Sequence, residues 1–296
     1  MTERMKLEGS MVAIVTPFRD GAVDYDALGQ LIDFQIDGGT MGIVPCGTTG
    51  ESPTLDHDEH DKVIEFTVQK VAGRVPVIGG TGSNSTAEAL RLTKHAKAAG
   101  ADACLVVNPY YNKPTQHGMV EHVRRLAEVE LPIVLYNIPG RCGVELAPET
   151  IARMYEEIPM VVAVKEATGK LDVSSQIAAC CDITIISGDD SLTLPICSVG
   201  GRGVISVLAN VLPAEVRKLW DAIESCDMAA ATMQHLRLFP LFRAMFVETN
   251  PIPIKAALGM AGMIANELRL PMSPLSQTHR APLAKMLNDF GIDAKP

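Results

Sequence analysis

No apolar run in this 296-residue chain approaches the roughly 18 residues that a membrane span needs. Met1 to Gly9 alternates charges and lacks the apolar centre of a secretory signal, so the expected location is the cytoplasm. The seven cysteines include no C-x-x-C pair, and Cys180 and Cys181 are neighbours. Both facts argue against a disulfide framework or a thiolate zinc site. Lysine and arginine are nowhere clustered, and 26 basic against 35 acidic residues leave a net charge of −9. Nucleic acid and anionic membrane are therefore poor partners, although local donors can still hold a small anionic substrate. A dinucleotide fingerprint is missing too: the first apolar run leads into Thr16-Pro17-Phe18, not a glycine loop.

What is present is a repeat. With 47% apolar residues the chain has ample core, and short β-branched runs alternate with stretches of helical periodicity. The runs predict eight strands: Met11 to Pro17, Met41 to Cys46, Val75 to Gly79, Ala103 to Asn108, Ile133 to Asn137, Val161 to Lys165, Ile183 to Ser187 and Gly203 to Val207. Between them the pattern predicts helices such as Asp24 to Asp37, Asp56 to Val71, Ser85 to Ala99 and Pro148 to Glu157, several opened by a capping residue or an early proline. Eight such units match a (β/α)8 TIM barrel over residues 1–225. Beyond residue 212 only helical pattern continues, through Asp221 to Phe246, Pro253 to Ile264 and Ser276 to Phe290. Residues 226–296 are accordingly expected to form a C-terminal helical extension. An open doubly wound sheet is the competing architecture, but Gly79-Gly80-Thr81-Gly82 is only a weak look-alike of its phosphate loop.

One residue breaks the apolar pattern with chemical consequence. Lys165 lies in Val161 to Gly169, otherwise the pattern of a buried strand. Burial disfavours the ammonium and leaves an amine able to attack a carbonyl. Pairing with Glu166 is the alternative, although adjacent strand residues point to opposite faces. The other strand ends carry Gly47 to Ser52, Pro109 to Pro114, Tyr136 to Arg141 and Ser187 to Asp190. Active groups of a barrel gather on that rim. Each segment alone reads as a turn, a packed aromatic or a solvated charge; together they offer carboxylate donors, a proton-passing tyrosine and an arginine clamp.

Gly47 to Ser52, Tyr136 to Arg141, Lys165 to Gly169 and Asn250 to Lys255 together resemble the dihydrodipicolinate synthase family of pyruvate-dependent Schiff-base aldolases and lyases. The resemblance runs from Gly9 to about Pro274. It implies condensation of pyruvate with L-aspartate 4-semialdehyde to 4-hydroxy-tetrahydrodipicolinate, with no metal or organic cofactor. Carried onto this chain, it implies that Lys165 forms the imine and that the Thr48 and Thr49 backbone holds the pyruvate carboxylate. Tyr136 is then the acid/base and Thr49, Tyr136 and Tyr111 the proton relay, with Tyr111 reaching in from a neighbouring subunit. Arg141 is expected to hold the second carboxylate, Gly188 and Ile205 to line the pocket, and the assembly to be a homotetramer, a dimer of dimers.

Asp56-His57-Asp58-Glu59-His60-Asp61 admits three readings. It can be an acidic helix start suited to the dipole, or a metal site built on two histidines. The resemblance adds the third, a feedback site for L-lysine at a subunit interface, formed by Ser52, His57, His60, Asn84, Glu88 and Tyr110. Pro53 stands where that pattern carries alanine. Rival functions are a sugar-acid aldolase or lyase acting on N-acetylneuraminate or a 2-keto-3-deoxy acid, a metal-dependent hydrolase, and an inactive barrel acting as a binding protein. The Thr48-Thr49 pair and Arg141 argue against the first, and the intact Lys165, Tyr136, Thr49 and Tyr111 against the last.

Overall fold

The computed structural model describes residues 4–295. In chain order its strands are β1 (Gly9–Ala13), β2 (Phe18–Arg19), β3 (Ala22–Val23), β4 (Ile43–Val44), β5 (Ile78–Gly80), β6 (Ala103–Val107), β7 (Ile133–Asn137), β8 (Val161–Glu166), β9 (Thr184–Ser187) and β10 (Gly203–Ser206). The helices are α1 (Tyr25–Asp37), α2 (His57–Val71), α3 (Thr86–Ala99), α4 (Gln116–Ala127), α5 (Pro139–Cys142), α6 (Pro148–Glu157), α7 (Leu171–Cys180), α8 (Thr193–Ser198), α9 (Pro213–Glu224), α10 (Met228–Ala244), α11 (Ile252–Met260) and α12 (Gln277–Asp289). All the strands except β2 and β3 form one parallel sheet in the order β4-β1-β10-β9-β8-β7-β6-β5. A parallel bridge between Ile43 and Val77 closes it, so the chain forms a (β/α)8 barrel followed by C-terminal helices. Among the described residues no helix is long and apolar enough to cross a membrane.

Side-chain alternation sorts the core into two parts. Met11, Ala13, Leu105, Val134, Tyr136, Ala163, Ile186 and Ile205 fill the barrel interior. Val12, Ile14, Cys104, Val106, Leu135 and Val164 face outward into a larger cluster, which continues into Leu238, Phe242, Ile254 and Leu287 of the C-terminal helices. The predicted caps form at Asp24, whose side chain accepts from Ala27 N, and at Asp56, which makes a reciprocal capping box with Glu59.

Several predicted bounds change, for identifiable reasons. The first strand begins at Gly9 and ends at Ala13, not Pro17, because Val15 N turns to the Asn210 side chain and Thr16 Oγ1 to Gly50 O. Met41 to Cys46 shrinks to β4 and Val75 to Gly79 shifts to β5, where Pro45 and Pro76 remove ladder donors. The β2–β3 hairpin was signalled by Asp20-Gly21, both at positive φ (53° and 82°), a turn chemistry that the strand pattern alone passes over. Asp221 to Phe246 is not one helix: α9 ends at Glu224, and Asp227 caps α10 by accepting from Ala230 N.

Candidate active site

Register sets Lys165 beside Tyr136 of β7 and Ile186 of β9, all facing the barrel interior near its C-terminal end. Glu166 points to the opposite face, where its carboxylate accepts from Asn137 Nδ2 at 3.1 Å and Thr168 N at 2.6 Å. The Lys165–Glu166 pair therefore does not form. Burial lowers the Lys165 pKa to about 8; the Asp190 carboxylate opposes that shift and the Arg141 guanidinium adds to it. Its Nζ lies 4.3 Å from the Tyr136 ring centre. Burial pushes the Tyr136 phenol up to about 12, against a hydrogen bond with Thr48 and the Arg141 charge. A phenol that keeps its proton thus adjoins an amine that sheds one near neutral pH.

The loop after β4 folds on itself through Gly50 N to Gly47 O, Glu51 N to Thr48 O and Ser52 N to Gly47 O. Glycine at 50 keeps this loop close to its neighbours, since a Cβ there would press on Cys46 N, Ile14 O and Thr16 Oγ1 at 3.1 to 3.2 Å. The two threonines diverge. Thr48 is the one hydrogen-bonded to Tyr136, whereas Thr49 Oγ1 accepts from Asn250 Nδ2 at 3.0 Å. Of the two, Thr48 adjoins the Tyr136 phenol, while Thr49, the residue expected in the relay, meets Asn250.

Arg141, on the single turn α5, donates through Nη2 to Asn250 O at 3.0 Å. Gly188 lies against the lysine: a Cβ on it would sit 3.1 Å from Lys165 Cε and 2.7 Å from Ala167 Cβ. Ile205 is buried in the barrel interior with Tyr136. Asp190 is also buried; its Oδ2 accepts from Val207 N at 2.9 Å and Leu208 N at 3.1 Å, and Oδ1 has no partner. Tyr111 is the outlier of the predicted set. It is 89% exposed with φ at 73°; like Lys165, Tyr136, Thr49, Gly188 and Ile205, it does not line the cavity that opens beside the Gly47 to Ser52 loop.

That cavity measures about 360 Å³. It runs from Thr48, Arg141 and Cys142 to Ser52, His57, His60, Glu88 and Tyr110, joining the rim to five of the six residues assigned to feedback. Asn84 is not among its lining residues, and its carbonyl accepts from Asn112 Nδ2 at 2.9 Å. His57 Nε2 lies 2.8 Å from Glu88 Oε1, and Ser83 Oγ donates to Glu88 Oε2. These two contacts hold the Glu88 carboxyl below the usual range. Burial pushes His60 down to about 4, leaving its ring neutral. Asp56 and Glu59 are spent on the capping box and Glu59 also binds Arg269 at 2.5 Å, so the acidic cluster does not converge. Among the described residues no three His, Cys, Asp or Glu side chains group as a metal site.

The Asn250 to Lys255 segment carries the family resemblance, but nothing in its local sequence assigns its residues a role. The missing information is spatial: Asn250 meets Thr49 across 201 positions, and Lys255 meets Glu51 across 204.

The pattern of the dihydrodipicolinate synthetase family matches residues 6–290. The 4-hydroxy-tetrahydrodipicolinate synthase of Pelobacter propionicus is 52% identical over 288 residues, covering 96% of this chain and 99% of that one. The crystal structure of dihydrodipicolinate synthase from Aquifex aeolicus superposes with a TM-score of 0.96 at 48% identity, covering 98% of this chain and all of that one. The synthase of Cyanidioschyzon merolae, solved with lysine bound, gives a TM-score of 0.93 at 38% identity over 96% of this chain and 98% of its own. With a pattern spanning nearly its whole length and a lysine and tyrosine side by side at the barrel rim, this chain belongs to the dihydrodipicolinate synthetase family of Schiff-base-forming lyases.

Proposed function

We propose that the enzyme condenses pyruvate with L-aspartate 4-semialdehyde to 4-hydroxy-tetrahydrodipicolinate, with Lys165 as the nucleophile. The observation that carries this reading is the buried Lys165 amine beside a protonated Tyr136 phenol. The amine adds to the C2 carbonyl of pyruvate, water leaves with a proton from Tyr136, and a protonated imine results. That cation acidifies the pyruvate methyl group, which gives a proton back to the Tyr136 phenolate and becomes an enamine. The enamine carbon then attacks the aldehyde, and the new alkoxide takes up a proton. Attack of the second substrate's own amine on the imine carbon closes the ring and frees Lys165. No step calls for a metal or organic cofactor.

Roles follow from position. The amides of Thr48 and Thr49 face the pyruvate carboxylate, and Arg141 takes the carboxylate of the semialdehyde. Thr48 passes protons from Tyr136, and Tyr111, exposed in its own chain, reaches a neighbour's relay. Gly188 leaves room for the lysine to swing, while Ile205 floors the pocket. We place the enzyme in the cytoplasm as a dimer of dimers, with residues 226–296 as the C-terminal helical domain. L-Lysine is assigned to the far end of the cavity, between Ser52, His57, His60, Glu88 and Tyr110, with Asn84 nearby. That the Cyanidioschyzon merolae relative was solved with lysine bound supports lysine as a ligand.

Borohydride reduction in the presence of pyruvate tests the mechanism. Intact mass should rise by one reduced pyruvate adduct, and peptide mapping should place it on Lys165. A gain that survives Lys165→Ala, or no gain at all, overturns the reading.

A further inference from the structure

Among the described residues the most completely buried charge pair joins the Gly47 to Ser52 loop to the C-terminal extension and takes no part in the chemistry above. Lys255, on α11, is 0% exposed, and Glu51 of the Gly47 to Ser52 loop is 3% exposed. Lys255 Nζ donates to Glu51 Oε1 at 2.5 Å and to Thr16 O at 2.9 Å, and stands 4.2 Å from the Phe18 ring centre. Glu51 Oε2 accepts from Arg269 N at 3.1 Å. Thr16 in turn donates through Oγ1 to Gly50 O at 2.7 Å. One ammonium therefore ties the end of the first barrel segment, the loop and the C-terminal extension together.

The backbone shows what the tie accomplishes. Glu51 adopts φ 53° and ψ 37°, a left-handed conformation uncommon for a residue with a side chain. This conformation reverses the chain so that Glu51 N bonds Thr48 O and Ser52 N bonds Gly47 O. Such conformations persist where surrounding contacts over-determine them. Here a fixed carboxylate does so. Desolvating both charges cancels much of their attraction, so a buried pair of this kind contributes little net stability compared with apolar residues of the same volume. Its effect lies in selecting one loop geometry.

We propose that the Lys255–Glu51 pair is a positioning device that holds the Gly47 to Ser52 loop in the geometry that lets the Thr48 and Thr49 amides grip the pyruvate carboxylate. The proposal rests on the reading of that loop as the carboxylate cradle. Neither residue touches the reacting atoms. The C-terminal extension thereby acts on the active site from behind.

The test compares Glu51→Gln and the double variant Glu51→Gln/Lys255→Met, both close in volume to the native pair. Steady-state kinetics, thermal melting and borohydride trapping are measured on each. The expected result is a pyruvate KM raised roughly 10- to 100-fold with kcat within about threefold, since misplacing a binding group by an ångström costs that much. The double variant should melt within a few degrees of wild type. A pyruvate KM within twofold of wild type in the folded variants overturns the proposal, as does failure of both variants to fold, which would make the pair an element of the fold. Trapping of wild type at Lys165 separates the two readings. If wild type traps pyruvate there and the variants keep its KM, only the positioning role falls; if wild type traps nothing, the functional reading falls as well.

Discussion

A lysine moved from water into the barrel interior destabilises the fold by an amount that depends on pH. Lys165 titrates near 8 when folded and near 10.5 when unfolded. Below about 8 both states are charged and the folded state bears the whole desolvation cost; as pH rises from 8 to 10.5 the unfolded state still binds the proton and the cost fades. Lys165→Met should therefore be more stable than wild type at pH 7, by on the order of 3 kcal/mol. The difference should shrink towards zero by pH 10.5, as read from urea midpoints across that range. A pH-independent difference would mean that the variant acts through packing and not through the charge. The same titration makes the rate of pyruvate adduct formation rise with pH through about 8, because only the neutral amine attacks.

At the scale of elements, the feedback assignment hangs on two helix starts. His57 opens α2, Glu88 lies in the first turn of α3, and they meet at 2.8 Å. An incoming ammonium has to displace the imidazole from that carboxylate. Glu88→Ala should abolish inhibition by millimolar L-lysine, a coupling of about 1 to 3 kcal/mol, while uninhibited turnover stays within about twofold. If lysine neither inhibits nor raises the melting temperature of wild type, the assignment is wrong. The helices around these residues were legible in the sequence because an apolar face repeats every three to four positions and Asp24, Asp56 and Ser85 sit at the cap positions. Lys165 was legible because charge inside an apolar strand is rare. The division of labour between Thr48 and Thr49 was not. The hydrogen bond that sets Thr49 apart comes from Asn250, far along the chain, and no local pattern carries that information. The break between α9 and α10 escaped because helical periodicity continues across the three residues Ser225 to Asp227.

For the whole molecule, the exposed Tyr111 is the feature a single chain leaves unused. If it completes a neighbour's relay, each site draws Lys165 from one subunit and Tyr111 from another. Tyr111→Phe and Lys165→Ala proteins, each impaired alone, should recover about a quarter of wild-type turnover after equal subunit mixing, since half the pairs are mixed and each has one intact site. No recovery despite verified exchange, or a fully active monomer, would refute sharing. The C-terminal helices join the same apolar cluster as the barrel's outer layer, and α11 with the segments flanking it supplies Lys255, Asn250 and Arg269 to the Gly47 to Ser52 loop. Barrel and extension therefore share one core.

The closure of the barrel has a consequence in time. Between β4 and the residues entering β5 the ladder rests on the Ile43–Val77 bridge, with Ile43 N donating to Pro76 O and Gly80 N to Pro45 O. A proline flanks the bridge on each strand and contributes no N–H of its own. A seam held by so few bonds opens locally at lower free energy than the continuous ladder of β6, β7 and β8. The amides of Ile43 and Gly80 should accordingly exchange with deuterium faster than those of Val134 or Leu135. The Gly47 to Ser52 loop starts a few residues beyond this seam. Breathing of the barrel is thereby directed to its working edge, while the strand bearing Lys165 stays in the slowly exchanging part.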